Sequence, residues 1–295
     1  MSGTPVDWHE RVQGVLFRLV GRLPIDWASQ LGQILTRRNV CRNRPEIIEN
    51  ARQNLRFHFP EASAEAIEAK VEEFLDGVGR VMGEFTVMNR LMPEGRLEAT
   101  GLEAFKAVAQ TRPILALGLH TGNWETFGPM FQHAGIPLTS FYAPPENAFE
   151  RRIAEETRAR FGVALLSPDA AGTRQAMRLL KRNQVVMIFP DEARGGVQMG
   201  PLFGRPPHPY GNLAIAVRLA RHTGAAFVIC HSRRLKGCRF TLDFGTPFDL
   251  PEQGQSDVLA DVAFLNSKIE PIVRDNLPRW YFLDDRLDPV SSRGG

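Results

Sequence analysis

From residue 113 onward, short apolar runs alternate with longer amphipathic stretches. The runs at 113–119, 138–143, 162–166, 184–189, 225–231 and 239–244 have the length and composition of buried strands. The stretches at 124–134, 147–160, 171–182, 211–223 and 256–276 have the length and period of helices. Strands separated by helices cannot pair as hairpins. They predict an α/β fold with a mostly parallel central sheet flanked by helices.

Upstream the pattern is helical. Residues 7–59 place Val12, Val15, Leu16, Leu19, Val20 and Leu23 on one face, with Arg11, Arg18 and Arg22 along its flank. Pro24 ends that segment, and Trp27, Leu31, Ile34 and Leu35 restart the period. Two readings of the apolar face stay open: docking on the protein's own core, or lying in a bilayer interface. Ser63 is placed to cap a helix running to Met88. Gly77, Gly79 and Gly83 within it lack the spacing and preceding strand of a dinucleotide site and fit close helix packing. A boundary near 92–100 divides a helical N-terminal segment, 1–95, from an α/β domain, 96–295. A disordered tail is expected only at Ser291–Gly295.

Charge restricts the partners. The net charge of +3 is too small to argue for nucleic acid. It is concentrated, however: residues 1–60 hold nine Arg against five acids. Three cysteines, without metal-binding spacing, fit a reducing compartment. No apolar stretch approaches the roughly 20 residues of a spanning helix, and no signal peptide is visible.

The candidate chemistry lies at strand ends. His120-Thr-Gly-Asn-Trp-Glu125 follows the apolar run Pro113–Leu119. A histidine there is a candidate general base, and Glu125 its candidate orienting carboxylate. Spacing alone carries little weight, since 7 His and 33 acids in 295 residues give about one such pair by chance. Asn123 is placed to cap the following helix. A second polar cluster, Asp191, Glu192 and Arg194, follows the run ending at Phe189, with Phe203 and Gly204 shortly after. Arg194, Arg205, Arg233 and Arg234 read as solvated surface charge. No nucleophile elbow, P-loop or zinc-protease motif is present.

Taken in order, five blocks resemble the bacterial lipid A biosynthesis (late) acyltransferases of the lysophospholipid acyltransferase superfamily, which includes the phosphatidylinositol mannoside acyltransferases. The blocks are Arg52–Leu55 with Phe59-Pro60; His120–Glu125; Asn147 with Arg158 and Phe161-Gly162; Asp191–Gly204; and Trp280–Arg286. The chain departs from the family pattern at Phe282–Arg286, at Asp191-Glu192, and in having only an amphipathic N-terminal helix.

The resemblance implies transfer of a fatty acyl group from acyl-carrier protein or acyl-CoA to a hydroxyl of a lipid A precursor or related glycolipid. It implies His120 as base and Glu125 as its partner, with substrate contacts from Asn123, Arg158, Asp191, Arg194, Phe203 and Gly204. It implies no metal or cofactor beyond the acyl thioester. With an acidic carrier protein as donor, Arg194, Arg205, Arg233 and Arg234 become candidates for a basic surface that receives it. Its implied setting is the cytoplasmic face of the inner membrane, peripheral or N-terminally anchored, with acyl-carrier protein and a membrane lipid as partners and no nucleic acid. Alternatives are another lipid O-acyltransferase, such as one acting on a glycerophospholipid, a non-catalytic lipid-binding protein of the same fold, and a soluble hydrolase.

Overall fold

The computed structural model of the chain describes residues 8–252 and 257–286. The tail expected at Ser291–Gly295 lies outside the described residues. The elements run α1 (Trp8–Val20), α2 (Ile25–Asn43), α3 (Pro45–His58), α4 (Ala64–Glu84), α5 (Met88–Leu91), β1 (Leu97–Thr100), α6 (Leu102–Ala109), β2 (Ile114–Gly118), α7 (Phe127–Ala134), β3 (Leu138–Phe141), α8 (Ala148–Arg160), β4 (Ala164–Leu166), α9 (Ala170–Leu180), β5 (Val185–Ile188), β6 (Ala193–Arg194), β7 (Val197–Gln198), α10 (Gly211–Thr223), β8 (Ala226–Arg234), β9 (Phe240–Phe244) and α11 (Val258–Asp275).

The fold is the expected α/β class. Seven strands form one sheet in the order β1-β9-β8-β2-β5-β3-β4. All neighbours are parallel except β8 and β9. β2 and β5 lie side by side in the centre and every residue in them is buried. Their side chains alternate between two apolar layers, because successive residues of a strand point to opposite faces. Leu115 and Leu117 join α3, α4, α9, α10 and α11 on one side. Ile114 and Ala116 join α6 and α7 on the other. Each fully buried Leu or Ile side chain here contributes about 1.5–3 kcal/mol.

Three features differ from the sequence reading. β1 falls in the stretch near 92–100 read as a boundary, and α6 fills the unassigned residues after it. β1 is an edge strand with only Leu97 buried, so it lacks apolar alternation. The hairpin β6–β7 forms inside the loop after β5. β8 continues to Arg234 because β9 pairs with it through Arg234↔Phe240, which keeps polar residues in extended backbone.

In the helical layer, α2 and α4 approach closely at glycines. A Cβ on Gly83 would sit 2.2 Å from the Ala28 carbonyl oxygen, and one on Gly79 2.9 Å from the Gln33 Cα. Close helix packing is therefore what Gly79 and Gly83 serve, whereas Gly77 faces open space. Val20 and Leu23 pack against the core, while Val12, Val15, Leu16 and Leu19 stay exposed. Trp27, Ile34 and Leu35 of α2 are exposed too. No helix among the described residues is long and apolar enough to cross a membrane.

Candidate active site

The end of β2 delivers His120 to the carboxyl edge of the sheet, where open α/β folds bind ligands. The turn that follows is tightly specified. Gly122 has φ +62°, and a Cβ there would lie 2.4 Å from the Ser232 carbonyl oxygen. Asn123 then caps the next turn, its Oδ1 accepting from the Glu125 N–H at 3.1 Å. This is the expected cap, and it places Glu125 in a first helical turn.

The carboxylate beside His120 is Asp191. It comes from the end of β5, the strand adjacent to β2. Asp191 is fully buried. Its Oδ2 accepts from the His120 backbone N–H at 2.6 Å and from Trp280 Nε1 at 2.9 Å. Its Oδ1 lies 3.0 Å from His120 Nδ1, and its carbonyl oxygen 3.1 Å from the same nitrogen. Both oxygens are acceptors, so Nδ1 must donate and carry the proton. The neutral ring then presents a bare Nε2, which has no hydrogen bond to a described residue. Rings of Phe189, Phe282, Trp124 and Tyr281 surround the imidazole at centroid distances of 4.4, 5.0, 5.1 and 6.3 Å. The His120 side chain remains 18 % exposed, which is enough for a reactant to approach.

The expectation that Glu125 orients His120 is corrected here. Glu125 is held by Arg158, which donates from Nη2 at 2.6 Å and from Nε at 3.2 Å, and by Trp124 Nε1 at 3.1 Å. Burial works against the Arg158 cation, but the Glu125 carboxylate outweighs it and raises the guanidinium pKa. The Arg158 guanidinium also stacks over the Tyr142 ring at 4.5 Å. Glu125 reaches His120 only through Trp124, whose indole it holds against the imidazole. Arg158 thus serves as the partner of Glu125 through Nε and Nη2.

Other expected contacts also move. Asp191 holds His120 from a fully buried position. Asn123 is fully buried, its Nδ2 donating to Glu84 Oε2 at 2.8 Å. Phe203 is buried, packed on His58 at 4.7 Å and Trp280 at 5.8 Å, so it buttresses Trp280 from behind. Gly204 supplies positive φ to the same loop. Arg194 is exposed and pairs with Glu192 on the β6–β7 hairpin. Of the proposed basic surface, Arg205 is buried and donates to the carbonyls of Gln198, Pro201 and Leu202. Arg233 pairs with Asp243, and Arg234 with buried Glu84.

Glu84 of α4 is a site-supporting residue that sequence reasoning missed, and Trp280, singled out as part of a block, was given no role. Burial raises the Glu84 carboxyl. The Arg234 fork and hydrogen bonds from Ser29 and Asn123 overcome this and hold it below the usual carboxylate range. Nothing in the helical run around Glu84 signals this role. The role of Trp280 could have been found, since it opens the aromatic block near the C-terminus. That segment lies along the site: Tyr281 N–H donates to the His120 carbonyl at 2.9 Å, and Gly122 N–H to that of Arg279 at 3.2 Å. Among the described residues no group of His, Cys, Asp and Glu is arranged to hold a metal ion. Cys230 and Cys238 are buried and burial pushes their thiols upward, which removes them as nucleophiles.

The sequence profile described as "Bacterial lipid A biosynthesis acyltransferase" matches residues 4–288, nearly the whole chain. The chain belongs to this family. Among curated proteins, the "Lipid A biosynthesis acyltransferase" of Haemophilus influenzae (strain ATCC 51907 / DSM 11121 / KW20 / Rd) is 26% identical over 152 residues, which is 50% of this chain and 48% of the relative. The "Lipid A biosynthesis palmitoleoyltransferase" of Escherichia coli (strain K12) is 28% identical over 162 residues, 52% of this chain and 51% of the relative. The chain thus spans about half the length of the curated relatives it matches. Within this acyltransferase family chain, the His120–Asp191 pair is the arrangement best suited to move a proton at the sheet edge.

Proposed function

We propose that the protein transfers a fatty acyl group from the thioester of acyl-carrier protein to a hydroxyl of a lipid A precursor or related glycolipid, at the cytoplasmic face of the inner membrane. The observation that carries this reading is the Nδ1 of His120 fixed by Asp191, with Nε2 left bare among apolar rings. In the mechanism, Nε2 takes the proton of the acceptor hydroxyl as its oxygen attacks the thioester carbonyl carbon. The tetrahedral intermediate collapses, the carbon–sulfur bond breaks, and the leaving thiolate takes the proton back from Nε2. Asp191 stabilises the imidazolium formed between the two steps. The mechanism uses no acyl-enzyme, in keeping with the buried thiols.

Incubation of the purified protein with an acyl-carrier thioester and a lipid A precursor tests the reading. Mass analysis is expected to show the acceptor gaining one acyl chain with release of the carrier thiol. Free fatty acid with an unmodified acceptor would identify a hydrolase instead.

Membrane attachment is part of the proposal. The exposed Val15, Leu16 and Leu19 of α1 and Trp27, Ile34 and Leu35 of α2 give an apolar surface that the core does not cover. Arg18, Arg22, Arg38 and Arg42 are exposed beside them, with no ion pair to a described residue. Each such cation near an anionic bilayer is worth about 1 kcal/mol. Combined substitution Leu16→Glu and Ile34→Glu is expected to abolish co-sedimentation with vesicles containing anionic lipid while leaving the circular dichroism spectrum unchanged. Undiminished co-sedimentation would remove these helices from the membrane contact.

A further inference from the structure

With Arg205 and Arg234 buried, and Arg194 and Arg233 paired, the protein needs another surface if it meets an acidic carrier. α9 has one. Arg174 and Arg178 lie four residues apart on it, and Lys181 and Arg182 follow in the turn at its C-terminal end. All four are exposed, and none forms an ion pair with a described residue. The inner face of the helix, Gly172, Ala176 and Leu180, is buried against the sheet layer, which turns the cationic stripe outward.

The stripe has little structural compensation: the carboxylate beside it is Asp169, which the Arg174 charge helps to keep ionised. Residues 170–190 contain no Asp or Glu. The preceding Asp169 is used as the helix cap, its Oδ1 accepting from Ala171 and Gly172 N–H at 2.8 and 2.9 Å. Arg174 and Arg178 are like charges four apart on one helix and repel each other. A local rule broken without a gain in the fold points to a function outside it.

Two observations select the partner. α9 exposes no large apolar side chain, unlike α1 and α2, so it lacks the buried face of a membrane-lying helix. Its position suits a donor. β4 runs parallel to β3, and β3 to β5, so the first turn of α9 emerges at the sheet edge that holds His120. A carrier seated on the helix would have its flexible thioester arm at that edge.

We propose that the stripe formed by Arg174 and Arg178 of α9 with Arg182 of the turn after it is the docking surface for an acidic acyl-carrier protein. The assignment rests on the acyl-transfer reading above. The test uses the full chain with Arg174→Glu, Arg178→Glu and Arg182→Glu combined, and with Gln at the same positions as a milder set that any loss of folding in the first leaves readable. Titration with holo acyl-carrier protein is expected to show affinity weakened about tenfold or more by the Glu set. Wild-type affinity should fall as salt rises, as screened charges require. Transfer from acyl-CoA and co-sedimentation with anionic vesicles should stay at wild-type levels. Unchanged carrier affinity in both sets, or no carrier binding by the wild type, would overturn the assignment. Loss of vesicle binding with carrier binding intact would overturn it in favour of a lipid surface. Stripe-dependent carrier binding without transfer from any donor would uphold the docking surface and overturn the acyl-transfer reading.

Discussion

His120→Ala is expected to lower the turnover of acyl transfer by about 10²–10⁴-fold, the usual contribution of a general base. The chain should stay folded. Removing the imidazole takes one of three hydrogen bonds from the Asp191 side chain. The Trp280 indole and the His120 backbone N–H remain to hold the carboxylate. The surrounding rings are anchored independently: Trp124 by Glu125, and Tyr281 by its backbone bond to the residue 120 carbonyl. Steady-state kinetics with circular dichroism as the folding control checks this. Near-normal turnover in the folded variant would remove His120 from the chemistry.

Asp191→Asn is expected to cost about as much as loss of the base, through the tautomer. The amide oxygen can replace Oδ2 and keep both of its donors. The amide NH₂ then faces His120 Nδ1 and leaves the residue 191 backbone carbonyl, at 3.1 Å, as its one remaining acceptor, which favours the tautomer in which Nδ1 accepts from the amide. The ring proton moves to Nε2 and the base is lost. In a serine-protease triad the equivalent change lowers turnover by about 10⁴-fold. Glu125→Gln should act differently. It leaves Nδ1 untouched but strips the countercharge from a largely buried Arg158, a change that typically costs about 3–5 kcal/mol of stability. The expected result is therefore a kcat defect for Asp191→Asn and mainly a lowered melting temperature for Glu125→Gln. A larger kcat loss for Glu125→Gln than for Asp191→Asn would return the orienting role to Glu125.

The contrast between Asp191 and Glu125 shows where sequence reading stops. His120 was legible because an apolar strand ends just before it, and a strand end in a parallel sheet is a site edge. Glu125 was legible as an acid but not as a partner. The turn through Gly122 and the cap at Asn123 carry it behind Trp124, onto the Arg158 fork. Asp191 lies 71 residues away in sequence and reaches His120 only because β5 pairs with β2. Strand order is a long-range property that no local period encodes. The trace it left was a second apolar run, Val185–Phe189, ending in a polar residue. Arg205 and Arg234 were read as surface charge for a related reason. Their partners, three backbone carbonyls and a buried Glu84, are supplied by the fold. The helical layer was legible in period. Its exposed apolar face was not, since the same period serves a docked helix and an interfacial one.

The most direct measurement is the tautomeric state of His120, read from the ring ¹⁵N resonances of the purified protein at a pH where the ring is neutral. The wild type is expected to carry a proton on Nδ1 and a bare Nε2. Glu125→Gln is expected to keep that state, and Asp191→Asn to shift the proton to Nε2. A wild-type ring protonated on Nε2, or a tautomer that responds to Glu125→Gln and not to Asp191→Asn, would take the orienting role away from Asp191.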